Sequence, residues 1–289
     1  MEQLRYEAPS TVDAAIALLA AAGGEARILA GGTDLLVQLR AERIEPELIV
    51  DVKRIPELTE ISKGDGGFRI GAAVTGAELG EHADVKRAWP GVVEAVELIG
   101  SVQIQGRASM GGNLCNASPA ADSVPALIAA AATAAIAGPG GRREVPVEEV
   151  GTGPGQTSLA KGEIVTSLFL PARAAHSGDA YLRFIPRTEM DIAVVGAGVN
   201  LTLDDAGTCS AARVVLGAVA ERALLVAAAA EALVGSKGDD AALDNLAAAA
   251  SAAARPIDDM RGTKAYRIKV AGVMARRAAQ NALERARQN

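Results

Sequence analysis

Apolar and polar positions alternate along this chain in a way that predicts short strands and helices in quick succession. Val12, Ala15, Ile16, Leu19 and Ala20 recur at helical spacing. Ser10 or Thr11 supplies the cap, Asp13 sits in the opening turn and Gly23-Gly24 ends the run. Residues 27–30 read as a strand, 34–43 as a helix and 48–52 as a strand, a compact βαβ-like unit. Its glycine loop lies at a strand's carboxyl end, where α/β sheets usually bind ligands. Residues 58–61 and 68–74 read as strands with a turn at 63–67. Thr75 caps a helix through Glu81, with Glu78 at the capping-box position. A helix over 92–99 follows, and 102–107 lead into a second glycine pair.

Beyond that pair, residues 120–133 read as a helix, and 134–137 and 143–145 as strands. Glu148-Glu149 reads as solvated charge and 151–155 as a loop. Residues 163–171 read as a strand and 172–178 as a linker, with His176 exposed on it. Strands at 199–203 and 211–219 precede alanine-rich helices at 222–234 and 239–254. Alanine is a strong helix former, so the runs 227–230 and 247–250 read as packed helices rather than linkers. Residues 255–262 form a loop before a last helix to about Arg287.

Two stretches carry candidate chemistry. GRASMGGNLCNASPAAD, residues 106–122, places the Ser109 hydroxyl before Gly111-Gly112 and the Asn113 amide after it, then Asp122. LAGGTDLL, residues 29–36, repeats the pattern: two glycines, a hydroxyl, a carboxylate, then a helix. Glycine lets a ligand approach the main chain, and exposed amides in such a turn form an anion-binding concavity. A helix N-terminus also favours negative charge. A single GGN triplet is usually just a turn, but two such loops can converge on one extended phosphate or pyrophosphate. Gly196-Ala197-Gly198 invites a dinucleotide-binding reading. It fails, because the sixth position is Leu201 inside an alternating strand pattern.

Composition narrows the class. The chain has 289 residues, 49% hydrophobic and 22% charged, as in a soluble globular protein of roughly two domains. Aromatics are 2%, so the core is built from Ala, Val, Leu and Ile. A net charge of −6 with no basic arm makes nucleic acid an unsuitable partner. Cys115 and Cys209 lie far apart, with no spacing for zinc or an iron–sulfur cluster, and read as small buried hydrophobes. His82 reads as a helix-end residue. The opening MEQLRYEAPST lacks an apolar h-region, and residues 124–137 are too short an apolar run to span a bilayer. A cytoplasmic protein without membrane spans is expected.

Together, AGGTDLL and SMGGNLCNASPAAD resemble the FAD-binding medium subunit of molybdenum hydroxylases, the family of carbon monoxide dehydrogenase, bacterial xanthine dehydrogenases and related aromatic-ring hydroxylases. Ser109 stands where Thr is commoner and keeps the hydroxyl. The resemblance continues through Thr157 and Leu159, through Arg183, Arg187 and Asp191, and through PIDD-x-RG with Thr263, Tyr266 and Arg267, so it covers essentially the whole chain. It implies an α+β fold. A two-lobed FAD-binding domain of the vanillyl-alcohol-oxidase (PCMH) type would occupy residues 1–175, with lobes at about 1–55 and 56–175. A C-terminal antiparallel sheet with a helical bundle would occupy residues 178–289.

On the same resemblance, Leu29, Ala30, Gly31, Gly32, Thr33, Asp34, Leu35 and Leu36 wrap the pyrophosphate with Ser109, Met110, Gly111, Gly112 and Asn113. Asp122 hydrogen-bonds the cofactor, Leu159 contacts the flavin and Arg183 reaches its side. Ile99 lies near the ring at a position that is aromatic in some relatives. Read without the resemblance, Asp122 is a helix-start acid, Arg187 and Asp191 an ion pair at a strand entrance, and Arg261 and Tyr266 a cap or interface.

The implied activity is electron relay. A molybdopterin-containing large subunit oxidises the substrate, a small subunit with 2Fe-2S clusters passes electrons on, and FAD here delivers them to an acceptor. No catalytic acid, base or nucleophile and no metal is expected on this chain, and a dimer of heterotrimers is the expected assembly. The alternatives are a self-sufficient FAD-dependent oxidoreductase and a flavin-free scaffold subunit.

Overall fold

The Thr11 hydroxyl accepts a hydrogen bond from the Ala14 amide and starts the helix Val12–Ala21 where the sequence places it. The computed structural model describes residues 4–64 and 66–289. Asp65, in the turn expected at 63–67, and residues 1–3 of the opening stretch lie outside the described residues. The helix covers a three-stranded parallel sheet ordered Arg5–Glu7, Leu48–Asp51, Ala26–Leu29. Its central strand is buried at all four positions.

A five-stranded antiparallel sheet follows, ordered Ile61–Gly64, Gly67–Gly71, Ile164–Pro171, Thr133–Gly138, Gly141–Pro146. Val12, Ala15 and Val50 of the first unit share a core with Ala73, Ala137 and Ile164 of this one. The other side of the sheet packs Leu79, Trp89, Val92, Val96 and Leu127 from the helices that cover it.

The third sheet is antiparallel, ordered Ser177–Phe184, Val195–Leu203, Cys209–Gly217, Leu224–Leu225. Alternate side chains leave a strand on opposite faces. Tyr181 accordingly joins the core of the five-stranded sheet, while Leu182 and Phe184 pack among the C-terminal helices. Gly196-Ala197-Gly198 sits inside this sheet. A Cβ at Gly196 would stand 2.4 Å from the Tyr181 hydroxyl, and one at Gly198 2.7 Å from the Pro125 carbonyl. These glycines make room for an aromatic ring and a helix. On the far face, Lys264–Gln288 buries Ala271, Ala275, Ala278, Ala279, Ala282 and Ala286, so the helix lies close on the sheet.

Several expectations need correction. Residues 58–61 are not a strand: Pro56 opens a short helix, Pro56–Thr59, and the strand begins at Ile61. The helix expected over 120–133 shrinks to Ser123–Ala129, because Ala131 turns the chain with φ +53° into the strand Thr133–Gly138. The helix expected over 222–234 becomes Ala227–Glu231, since Leu224 and Leu225 pair with Leu216 and Val215. The expected loop at 151–155 forms a hairpin, Gly151–Gly153 with Gln156–Thr157. Glu148 is not simply solvated; Arg213 holds it at 3.0 Å.

The expected linker at 172–178 is pinned. The Arg173 guanidinium stacks 4.4 Å from the Trp89 ring centroid and pairs with Asp179, and Ser177 already belongs to the third sheet. Arg187 and Asp191 do form the expected ion pair, at 3.0 Å, and Arg261 joins it at 2.8 Å. Arg267 is buried and donates to the Val194 carbonyl at 2.8 Å and to both Asp259 oxygens at 2.7 Å.

Two predictions follow from these contacts. A Cβ at Gly178 would stand 2.0 Å from the Ala282 carbonyl, whereas one at Gly140 would meet nothing within 4 Å. Gly178→Ala should cost at least about 1–3 kcal/mol in urea unfolding, and Gly140→Ala no more than about 0.5 kcal/mol. Arg261 and then Arg187 hold the Asp191 carboxyl down at about 2. A depressed carboxyl stabilises the fold above its unfolded pKa of about 3.9, and that contribution is lost as pH falls toward 2. The stability deficit of Arg261→Met should therefore be largest above pH ~4 and shrink as pH approaches ~2, read from urea midpoints across that range.

Candidate functional site

The strand Ala26–Leu29 delivers the chain into the first glycine loop, and the Leu29 carbonyl is fixed there by the Val52 amide at 3.1 Å. Gly31 lies against the second loop's lead-in: a Cβ there would stand 2.0 Å from the Arg107 carbonyl. Gly32 turns the chain with φ +78°, the left-handed region that glycine enters without strain. The amides of Gly31, Gly32, Thr33 and Asp34 donate to no acceptor among the described residues. Asp34 then opens the helix Leu35–Arg40, and partial burial raises its carboxyl above the usual range.

The second loop departs from a free turn. Ser109 is the cap of the helix Met110–Cys115, its Oγ accepting from the Gly112 amide at 3.1 Å. Gly111 and Gly112 therefore occupy the first helical turn. Gly111 serves close approach instead of torsion: a Cβ there would stand 2.4 Å from the Ala72 carbonyl. Met110 and Leu114 anchor the helix by burying into the core. Asn113 Oδ1 accepts from the Ser123 amide at 3.2 Å and the Ser123 hydroxyl at 2.7 Å, and its Nδ2 donates to no acceptor among the described residues. Gln38 Nε2 donates to Asn116 Oδ1 at 3.1 Å and ties the two loops together.

Between these loops and the segment around Leu159 lies a cavity of about 750 Å³. That is within the usual size of a small-molecule or cofactor site. Ala30, Gly31, Gly32, Thr33, Asp34, Leu35, Ile99, Ser109, Gly111, Gly112, Asn113 and Leu159 line it, as expected for a shared site. Five expected residues do not. Leu29 ends the strand beneath the loop, Leu36 points out at 54% exposure and Met110 is in the core. Asp122 and Arg183 are spent on each other at 2.8 Å, with the Tyr181 hydroxyl donating to Asp122 at 2.9 Å. Burial raises the Asp122 carboxyl, against the pull of the Arg183 charge and these hydrogen bonds.

The cavity also brings in residues that the sequence reading passed over as site residues: Gln38, Asn116, Gly155, Thr157 and Lys161. Gln38 is one helical turn after Asp34, which is a usable signal. Lys161 carries none, since its place follows from Nζ donating to the Ala22 carbonyl at 2.5 Å. Cys115 lines the wall too, but burial pushes its thiol up to about 12, so it stays protonated. Cationic side chains at the rim are engaged elsewhere, Arg27 with Glu25 and Lys161 with a carbonyl. The donors facing the cavity are therefore mainly backbone amides, which suits an extended oxyanion such as a pyrophosphate. Among the described residues no His, Cys, Asp or Glu cluster suits a metal ion, and no helix is long and apolar enough to cross a membrane.

Comparison with known proteins agrees with this geometry. Residues 2–173 match the family described as the FAD binding domain in molybdopterin dehydrogenase, and residues 180–282 the CO dehydrogenase flavoprotein C-terminal domain. The carbon monoxide dehydrogenase medium chain of Hydrogenophaga pseudoflava is 33% identical over 276 residues, 96% of each chain. The xanthine dehydrogenase FAD-binding subunit of Escherichia coli O157:H7 is 36% identical over 217 residues, 74% of each chain. A solved structure of the Hydrogenophaga pseudoflava carbon monoxide dehydrogenase superposes with a TM-score of 0.94 at 35% identity, covering 98% of each chain. On loops, cavity and whole-length similarity together, this chain belongs to the FAD-binding subunits of the molybdenum hydroxylases.

Proposed function

We propose that residues 1–175, in lobes of about 1–55 and 56–175, hold FAD in this cavity and that residues 178–289 form the C-terminal domain packed on it. The chain would then relay electrons from a molybdopterin-containing large subunit and a 2Fe-2S small subunit to an external acceptor. The assembly would be a dimer of heterotrimers in the cytoplasm. Bound FAD supplies the redox chemistry; the protein positions it and tunes its potential.

The observation that carries this reading is the pair of glycine loops converging on one cavity, with the amides of residues 31–34 finding no acceptor among the described residues. The amides of Gly31, Gly32, Thr33 and Asp34 would hold the pyrophosphate from one side. Asn113 Nδ2 would donate from the other. Ile99 and Leu159 offer apolar walls for a ring system and exclude water from it. A side chain at Gly31 or Gly111 would strike the Arg107 or Ala72 backbone and push these segments apart, so the bare peptide lining the cavity fits the cofactor.

Thermal unfolding of the flavin-free chain tests the assignment. FAD should raise stability with concentration, by about 2.7 kcal/mol at 100 times its Kd. Riboflavin, which lacks the pyrophosphate, should give little shift. Gly32→Ala forces a side chain into φ +78° and should weaken FAD by about tenfold. Equal shifts from FAD and riboflavin would remove the pyrophosphate role.

A further inference from the structure

The third sheet ends in strands of very different length. One edge is Leu224–Leu225, two residues long. The other is Ser177–Phe184, eight residues long and paired with Val195–Leu203 on its inner side. A long edge strand presents main-chain donors and acceptors on which another strand can form, so folded proteins shorten, charge or cover such edges. The two-residue edge is short enough. The eight-residue edge needs a cover.

The register shows which groups are at stake. The Leu203 amide donates to the His176 carbonyl at 2.9 Å. In an antiparallel pair, residues two apart turn their main-chain groups the same way. Gly178 and Ala180 therefore bond inward, opposite Leu201 and Val199. Ser177, Asp179 and Tyr181 turn their amides and carbonyls outward.

Three side chains meet these outward groups. Asn289 Nδ2 donates to the Ser177 carbonyl at 3.0 Å, and Arg285 Nη1 to the Asp179 carbonyl at 2.7 Å. The Tyr181 amide donates to Glu94 Oε2 at 3.2 Å. The side chains come from opposite faces of the sheet. Glu94 lies on the helix Pro90–Glu97, which runs so close that a Cβ at Gly91 would stand 2.8 Å from the Ala180 main chain. Arg285 ends the helix Lys264–Gln288, which touches Gly178 on the other face, and Asn289 follows it. Arg285 Nη1 also donates to Glu94 at 3.1 Å, so the two helices join over the edge. The contacts fall at every second residue, the repeat that a neighbouring strand would use.

We propose that Glu94, Arg285 and Asn289 guard this edge, occupying the hydrogen-bonding positions that the same strand of a second copy of this chain would take. A strand that meets itself antiparallel about a two-fold axis offers each outward amide a carbonyl of its copy, and a two-fold contact closes on itself. The added strand would also continue the antiparallel order of the sheet. The Arg285 and Glu94 side chains are 31% and 34% exposed, so removing one leaves the other in reach of water. None of the three guarding residues lines the cavity, and the proposal stands apart from the FAD reading.

The test uses the full chain and four proteins: wild type, Arg285→Ala with Asn289→Ala, Glu94→Ala and Arg276→Ala. Sedimentation equilibrium at rising concentration gives the average mass. Hydrogen–deuterium exchange over residues 177–184 gives the state of the edge, and the urea midpoint shows that each variant is folded. The double variant should rise with concentration toward about twice the wild-type mass, with exchange over 177–184 slowing as it does so. Glu94→Ala should shift in the same direction. Arg276→Ala removes contacts to Asp240 and Asp244 made by the same helix away from the edge, and should keep the wild-type mass.

Folded variants that keep the wild-type mass at every concentration overturn the guard. Association without slower exchange over 177–184 overturns it too, because the contact then lies elsewhere. If the double variant does not fold, Glu94→Ala decides.

Discussion

Backbone meeting backbone is the constraint on which the rest of this structure depends. Gly31 abuts the Arg107 carbonyl and Gly111 the Ala72 carbonyl, at distances where no Cβ can stand. The first glycine loop and the lead-in to the second therefore approach without side chains between them, and the helix after the second lies equally close on the segment that follows the strand Gly67–Gly71. What faces the gap is peptide, and much of it is donor. The anchoring is apolar and lies underneath: Met110 and Leu114 bury, and Leu48 to Val50 fill the parallel sheet. Close approach and buried anchors together make the cavity.

Small side chains bring a second consequence. With 2% aromatics, the cores are filled by Ala, Val and Leu. Such surfaces pack well but carry little shape to fix one unit against another. Buried arginines supply that direction here. Arg173 joins the segment after the five-stranded sheet to Trp89 and Asp179; Arg183 joins the third sheet to Leu98 and Asp122; Arg267 joins the last helix to Val194 and Asp259. Buried pairs add little net stability, yet removing one partner costs about 3–5 kcal/mol because a charge is left alone. Their value is geometric: each accepts one arrangement of the units it joins.

Local chemistry was legible in the sequence, and long-range chemistry was not. Thr75 with Glu78 forms the capping box that its spacing implies, and Asp239 and Thr263 cap the helices that follow them. Each of these signals closes within one turn. Alanine carried no such signal. It suits a helix and a buried strand alike, so residues 120–133 and 222–234 read as helices although only Ser123–Ala129 and Ala227–Glu231 are. Asp122 reads as a helix-start acid or a cofactor ligand, and its hydrogen-bond partners lie 59 and 61 residues away. The glycine pairs do meet at one cavity, but only partly for the torsional reason that the sequence suggests. Gly32 has the special torsion, whereas Gly31 and Gly111 are small because another chain segment touches them.

The central claim is that this chain is the flavoprotein of its complex. The most direct measurement is the visible spectrum of the purified protein, followed by release of the chromophore and its identification by mass. The account predicts a yellow protein that releases FAD, one per chain. A colourless chain that takes up no added FAD would contradict it, and the two glycine loops would then enclose a cavity made for something else.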